Sequence, residues 1–145
     1  MTQIDFYILQ QDNPIARLHF ACRLSEKAIN RNHHIVIAMQ DEAQANTLSE
    51  YLWSFKPESF LPHHLQTETA TSSPIILLWD DDKGNQDADP YHDILINLRG
   101  DIPQWFSRFK RVMEIVVQED SCLRETREHF QFYRDRGYPL QSHAV

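Results

Sequence analysis

Residues 34–39 read HIVIAM. Five apolar side chains, Ile35 to Met39, follow one another with no polar residue between them. The β-branched Ile35, Val36 and Ile37 favour an extended chain, and the lack of alternation means that both faces of the strand are buried. Four more segments repeat the pattern: IDFYIL (4–9), PIILLW (74–79), DILINL (93–98) and VMEIVV (112–117). Between them lie helical signals. Asn13 caps a helix with Pro14 at its first position, and Leu18, Ala21, Cys22, Ala28 and Ile29 share one face. Asp41 with Gln44 resembles a capping box opening a helix to about Trp53 through Ala45, Leu48 and Leu52. Asp101 and Pro103 start a short helix through Trp105 and Phe106, and Glu119 to Arg136 forms the last one. Doubly buried strands separated by helices predict a mostly parallel central sheet in a three-layer α/β/α arrangement.

Two stretches read as loop: SFKPESFLPHHLQTETATSS (54–73) and DDDKGNQDADPYH (80–92). The second has no helix pattern, which leaves the third and fourth predicted strands either adjacent or irregularly joined. With 145 residues, 41% of them hydrophobic, residues 1–145 fit a single domain with a substantial core. Cys22 and Cys122 follow no metal or redox spacing and read as reduced thiols. The first residues lack the basic start and long apolar run of a signal peptide, and no run approaches the roughly 18 apolar residues of a membrane span. The expectation is a cytoplasmic protein. A net charge of −7 argues against a general nucleic-acid binder, which needs a broad basic surface. The only glycines are Gly84, Gly100 and Gly137, too scattered for a loop whose backbone N–H groups cradle phosphate.

Candidate chemistry is sparse. Asp80, Asp81 and Asp82 follow a predicted strand, where open α/β sheets place ligands, and three carboxylates could hold Mg²⁺ for a phosphotransferase or hydrolase. The same residues also have plain turn composition. Among the eight histidines, His33–His34 and His63–His64 are adjacent, so their side chains diverge, and no HxxxH or HxH spacing occurs. No metal site and no cofactor is expected. Neither cysteine lies in a nucleophile elbow, and Cys122 falls on the apolar side of the last helix.

That last helix, LRETREHFQFYRDRGY (123–138), is unusual in an acidic chain. At 100° per residue, Arg124, Gln131, Arg127 and Arg134 occupy an arc of about 80°, with Leu123 and Phe130 at its apolar edge. One reading is a solvated face paired with Glu125 and Glu128. The other is a groove for a ligand both anionic and apolar, since guanidinium grips carboxylate in bidentate fashion. A second apolar set, Trp53, Phe55, Phe60 and Leu61, suits either a partner surface or the core.

Four stretches together resemble the chi subunit family of bacterial DNA polymerase III: FYIL, IAMQDEAQANTLSEYLWSFKPESFLPHH, DILINLR and EDSCLRETREHFQFYRDRGY. The resemblance covers nearly the whole chain. It implies a Rossmann-like fold without the nucleotide-binding glycine loop and a non-catalytic accessory of the clamp loader. It implies two partners: the psi subunit, and the acidic, phenylalanine-terminated tail of single-stranded-DNA-binding protein, with DNA reached indirectly through that protein. By position, Arg127 and Phe130 match the tail-binding arginine and aromatic, with Val116 near the pocket wall. Trp53 and Phe60 match the aromatics that face psi. Leu123 and Gln131 stand where relatives often carry lysine. Arg124 can replace the first charge and Gln131 cannot supply the second, which implies weaker tail binding or a site shifted toward Arg134. Direct binding of single-stranded DNA by the basic helix is a third reading, an alternative to tail binding that a gel shift with bare DNA would separate from it.

Overall fold

The computed structural model describes residues 1–56, 61–68, 73–82 and 91–145. Strands β1 (Gln3–Ile8), β2 (Ile35–Ala38), β3 (His63–Leu65), β4 (Ile75–Leu78), β5 (Ile94–Asn97), β6 (Arg111–Val116) and β7 (Leu140–Ala144) form one sheet. Its order is β3-β4-β2-β5-β6-β1-β7, and every pairing is parallel. Helices α1 (Pro14–Asn30), α2 (Glu42–Ser54) and α3 (Asp120–Asp135) pack on it.

The faces follow from alternation along β1. Phe6 meets Phe130 and Tyr133 of α3, with ring centroids 5.5 and 6.2 Å apart, whereas its neighbour Tyr7 meets Phe20 of α1 at 5.5 Å. Thus α3 covers one face, and α1, which contacts α2, covers the other. The layered, parallel architecture read from the apolar segments is present. β2, β4 and β5 are buried at every position, as the unalternating runs require.

The helix ends obey the local signals. Asn13 Oδ1 accepts from the Ala16 N–H at 2.8 Å, and Asp41 Oδ1 accepts from Gln44 N–H at 2.8 Å. Gln44 reaches back one residue beyond the cap, its Oε1 accepting from the Gln40 N–H at 2.8 Å rather than from the Asp41 N–H of a regular capping box. α3 ends in a Schellman motif: Tyr138 N–H reaches the Tyr133 carbonyl at 3.1 Å and Gly137 N–H the Arg134 carbonyl at 3.0 Å. Gly137 takes φ +77°, a conformation open to glycine. α1 closes the same way through Asn32 at φ 63°.

Four expectations change. β3 lies inside the stretch read as loop, and β7 was not foreseen at all. The third and fourth predicted strands, β4 and β5, are not neighbours, because β2 runs between them. The short helix at Trp105 and Phe106 is a single 3₁₀ turn, Phe106–Arg108. Its aromatics turn inward: Phe106 packs edge-on against Tyr133 and Tyr138.

Candidate functional site

α3 lies over β6 and leaves the β1–β7 side of its face partly open. The register sets Ile8 beside Val116 and Phe6 beside Ser142, so these four share that face. Together with Gln118 and α3 they enclose an open groove of about 440 Å³. Leu123, Thr126, Arg127, Phe130, Gln131 and Arg134 form the helical wall. The floor is apolar and held in place, since Phe130 is wedged against the buried Phe6. Arg127 and Arg134 are exposed on the lip. Arg134 makes only a loose contact with Asp135, 3.7 Å between exposed side chains, and among the described residues Arg127 has no acidic partner. A guanidinium without a carboxylate beside an apolar cleft is a ready receptor for an anion with a hydrophobic body.

Five of the six residues expected here, Val116, Arg127, Phe130, Gln131 and Arg134, line one groove. Arg124 is exposed on α3 but does not line it, as suits its place at the margin of the stripe. The alternative pairing with Glu125 and Glu128 is not made: among the described residues, neither bridges Arg124 or Arg127. Phe6, Ile8, Gln118 and Ser142 were not anticipated. The parallel pattern could have supplied β1 and β6 as neighbours, but nothing in the polar residues of β7 announced Ser142.

Behind the groove a buried polar network fastens α3 to the sheet. Glu114, the one charge inside the apolar run of β6, accepts at Oε2 from Tyr133 Oη (2.8 Å) and Asn97 Nδ2 (3.0 Å). Its Oε1 lies 3.0 Å from His129 Nδ1, and His129 Nε2 lies 2.8 Å from the Gly100 carbonyl oxygen. Both ring nitrogens face oxygen acceptors, an arrangement that favours a proton on each. Burial alone would lower the His129 pKa, but the Glu114 hydrogen bond and charge, with the Gly100 carbonyl, raise it above the ordinary value.

Of the candidate Mg²⁺ ligands, Asp81 is engaged elsewhere: its carboxylate accepts from Arg99 Nη1 at 2.7 Å and Trp105 Nε1 at 3.4 Å. Arg99 also grips Asp101 through Nε and Nη2, both at 2.8 Å, and this holds the Asp101 carboxyl below its usual pKa. Asp80 Oδ1 accepts from the Asp82 N–H at 2.9 Å, a turn contact. Among the described residues no three His, Cys, Asp or Glu side chains converge as a metal centre. His63 and His64 belong to β3.

On the opposite side of the molecule Trp53 is 53% exposed near the end of α2 and packs on His63, centroids 4.8 Å apart. His63 Nδ1–H donates to the Leu61 carbonyl at 2.7 Å, which leaves Nε2 to accept from Ser49 Oγ at 2.7 Å. This fixes the imidazole as a neutral platform, consistent with burial lowering its pKa. Leu61 is buried and Phe55 half-buried, so of the three apolar candidates among the described residues Trp53 is the outward one. Phe60 lies outside the described residues.

Comparison with known proteins agrees with the sequence resemblance. Residues 1–141 match the family described as DNA polymerase III chi subunit, HolC. The DNA polymerase III subunit chi of Pseudomonas aeruginosa is 42% identical over 145 residues, covering 100% of this chain and 98% of that protein. Those of Haemophilus influenzae and Escherichia coli are each 30% identical, covering 97% and 98% of this chain and 95% and 97% of theirs. Among the described residues no helix is long and apolar enough to cross a membrane. The chain belongs to the DNA polymerase III chi subunit family, proteins of DNA replication.

Proposed function

We propose that this chain is a non-catalytic accessory subunit that joins the clamp loader, through psi, to the acidic tail of single-stranded-DNA-binding protein. The observation that carries the reading is the groove under α3, where Arg127 and Arg134 border an apolar cleft floored by Phe6 and Val116. The tail's carboxylates meet the guanidinium groups, and its terminal phenylalanine ring enters beside Phe130. Gln131 offers the peptide backbone an amide donor in place of a charge. Through the binding protein the subunit is tethered to single-stranded DNA. Trp53, with Phe60, supplies the psi surface. The two surfaces use different elements, α3 with β1 against α2 with the segment that follows it, so both partners can be held at once. The deciding experiment is fluorescence anisotropy with an acidic nonapeptide ending in phenylalanine, alongside the same peptide ending in alanine. Saturable binding that requires the terminal ring supports the assignment, and equal affinity for the two peptides overturns it.

A further inference from the structure

A second cavity, of about 330 Å³, opens on the other face of the sheet where β1, β5 and β6 begin and α1 ends. Its inner surface is apolar, from Leu24, Ala28, Ile94 and Met113. Tyr7 is a fixed wall, stacked on His143 at 4.8 Å and packed on Phe20 at 5.5 Å. Around the mouth stand Lys27, Arg31, Lys110 and Arg111, with His33 beside them. Among the described residues Asp93 is the one acidic side chain of the lining, and Asp5 pairs with Arg111 at 2.9 Å.

This concentration of cations is opposite in sign to the chain's net charge of −7. Asp93 is already committed: its carboxylate accepts from the His34 N–H at 2.9 Å and lies 3.9 Å from Lys110. Lys27 and Arg31 have no acidic partner among the described residues. The C-terminal end of α1 would by itself repel an anion. Here, however, the Ala28 and Ile29 carbonyls are bonded to the capping N–H groups of residues 31–33, and Lys27 in the last turn and Arg31 at the cap bring positive charge to that end. A solvated lysine cap for the helix would explain Lys27 alone. It does not explain Lys110, just before β6, and Arg111, its first residue, lining the same hollow.

We propose that this cavity binds a nucleoside phosphate unit, with the phosphate held by Arg31, Lys27 and Lys110 and the base laid on Ala28, Ile94 and Met113. Several cations around one small hollow suit a compact, fully ionised anion, and the apolar floor suits a flat ring. The size admits one such unit. The contact is made by side chains alone, which is compatible with the lack of a glycine loop. The unit can come from a free nucleotide or from single-stranded DNA, and the inference does not rest on the tail-binding groove.

The test is a titration of the full chain with thymidine 5′-monophosphate and, separately, with a thymidine tetranucleotide, followed by NMR of the Met113 and Ala28 methyl groups. Both signals should move. A tetranucleotide that binds more than about tenfold tighter identifies a strand as the source, and equal affinities identify a free nucleotide. Arg31→Ala and Lys110→Ala should each weaken binding roughly tenfold, the scale of one charge-assisted contact. Lys27→Glu should abolish it, whereas Arg127→Ala should leave it unchanged. Melting temperatures confirm that the variants are folded. Unmoved methyl signals, affinities indifferent to these substitutions, or displacement of the same signals by an acidic peptide alone would overturn the proposal.

Discussion

His129 and Glu114 form a buried ion pair whose two members come from the helix and the strand that it covers, 3.0 Å apart. The carboxylate is further held by Tyr133 and Asn97, so helix, sheet and the β5 loop meet at one charge. Removing one member of a buried pair leaves the other uncompensated. Glu114→Ala should therefore destabilise the fold by about 3–5 kcal/mol, read from urea unfolding. A loss below about 1 kcal/mol would show that α3 is held by apolar packing alone.

The same pair sets a pH dependence. A raised folded pKa at His129 stabilises fully below the ordinary histidine value of about 6.5 and is lost as pH rises through the higher folded value. His63, whose pKa burial lowers, acts in the opposite sense. The clean observable is thus the stability difference between wild type and Glu114→Gln. It should be largest near pH 6 and shrink toward alkaline pH, measured above pH 5 so that Asp93 and Asp101 stay ionised. A difference constant with pH would mean that His129 is not the titrating partner.

Arg127→Ala should weaken binding of the acidic tail peptide by about 1.5–3 kcal/mol, the range for hydrogen bonds to charged groups. Arg127 is exposed and has no acidic partner among the described residues, so the melting temperature should stay put. Arg124→Ala is the internal control. It lies outside the groove and should cost less than half as much. Equal losses for the two would place the peptide across the outer stripe instead.

Salt should divide the tail interaction into two parts. As the Debye length falls from about 10 Å at 0.1 M toward 3 Å at 1 M, the carboxylate–arginine part should fade. The ring seated against Phe6, Val116 and Phe130 should leave a salt-insensitive remainder. Affinity that does not change over this range would refute the electrostatic half.

For the psi surface, Trp53→Ala is the informative change, because this side chain is outward-facing and its loss should hardly alter folding. Truncating a central interface aromatic typically costs upward of about 2 kcal/mol. Co-purification with psi should drop while tail-peptide affinity persists. If psi is retained by a stable Trp53→Ala protein, the surface lies elsewhere.

How far the sequence foretells this molecule depends on burial. The runs at β2, β4 and β5 were legible because both faces are apolar. β3 was not: two of its three residues are histidines, and their burial is made possible by contacts such as Ser49 to His63. β7 hid for the opposite reason, as an edge strand of mostly exposed, polar residues carries no hydrophobic signal. On α3 the helical period alone assembled Arg127, Gln131 and Arg134, but it could not say where the stripe leaves the groove, and so it retained Arg124. Phe6 and Ile8 reach the site through a pairing with residues far along the chain, which no local pattern encodes. Glu114 did leave a trace. A lone carboxylate in VMEIVV, with His129 and Tyr133 one turn apart on the next helix, points to a satisfied buried charge.

The position of β1 has a consequence for how the protein is made. Its two neighbours in the sheet are β6 and β7, so Gln3 pairs with Arg111 and Ile4 with Leu140. Neither neighbour exists while the first strand leaves the ribosome. At about 5–20 residues per second, β1 waits roughly 5–20 s for its first partner to be synthesised. During that interval the apolar IDFYIL segment has both edges open, a state that invites pairing with other nascent chains. Loop-closure entropy over such a span also makes this pairing slow. The half of the sheet that carries the groove is therefore completed only after β6 and β7 have been made, and a chaperone that shields the β1 segment would cover both open edges over that interval.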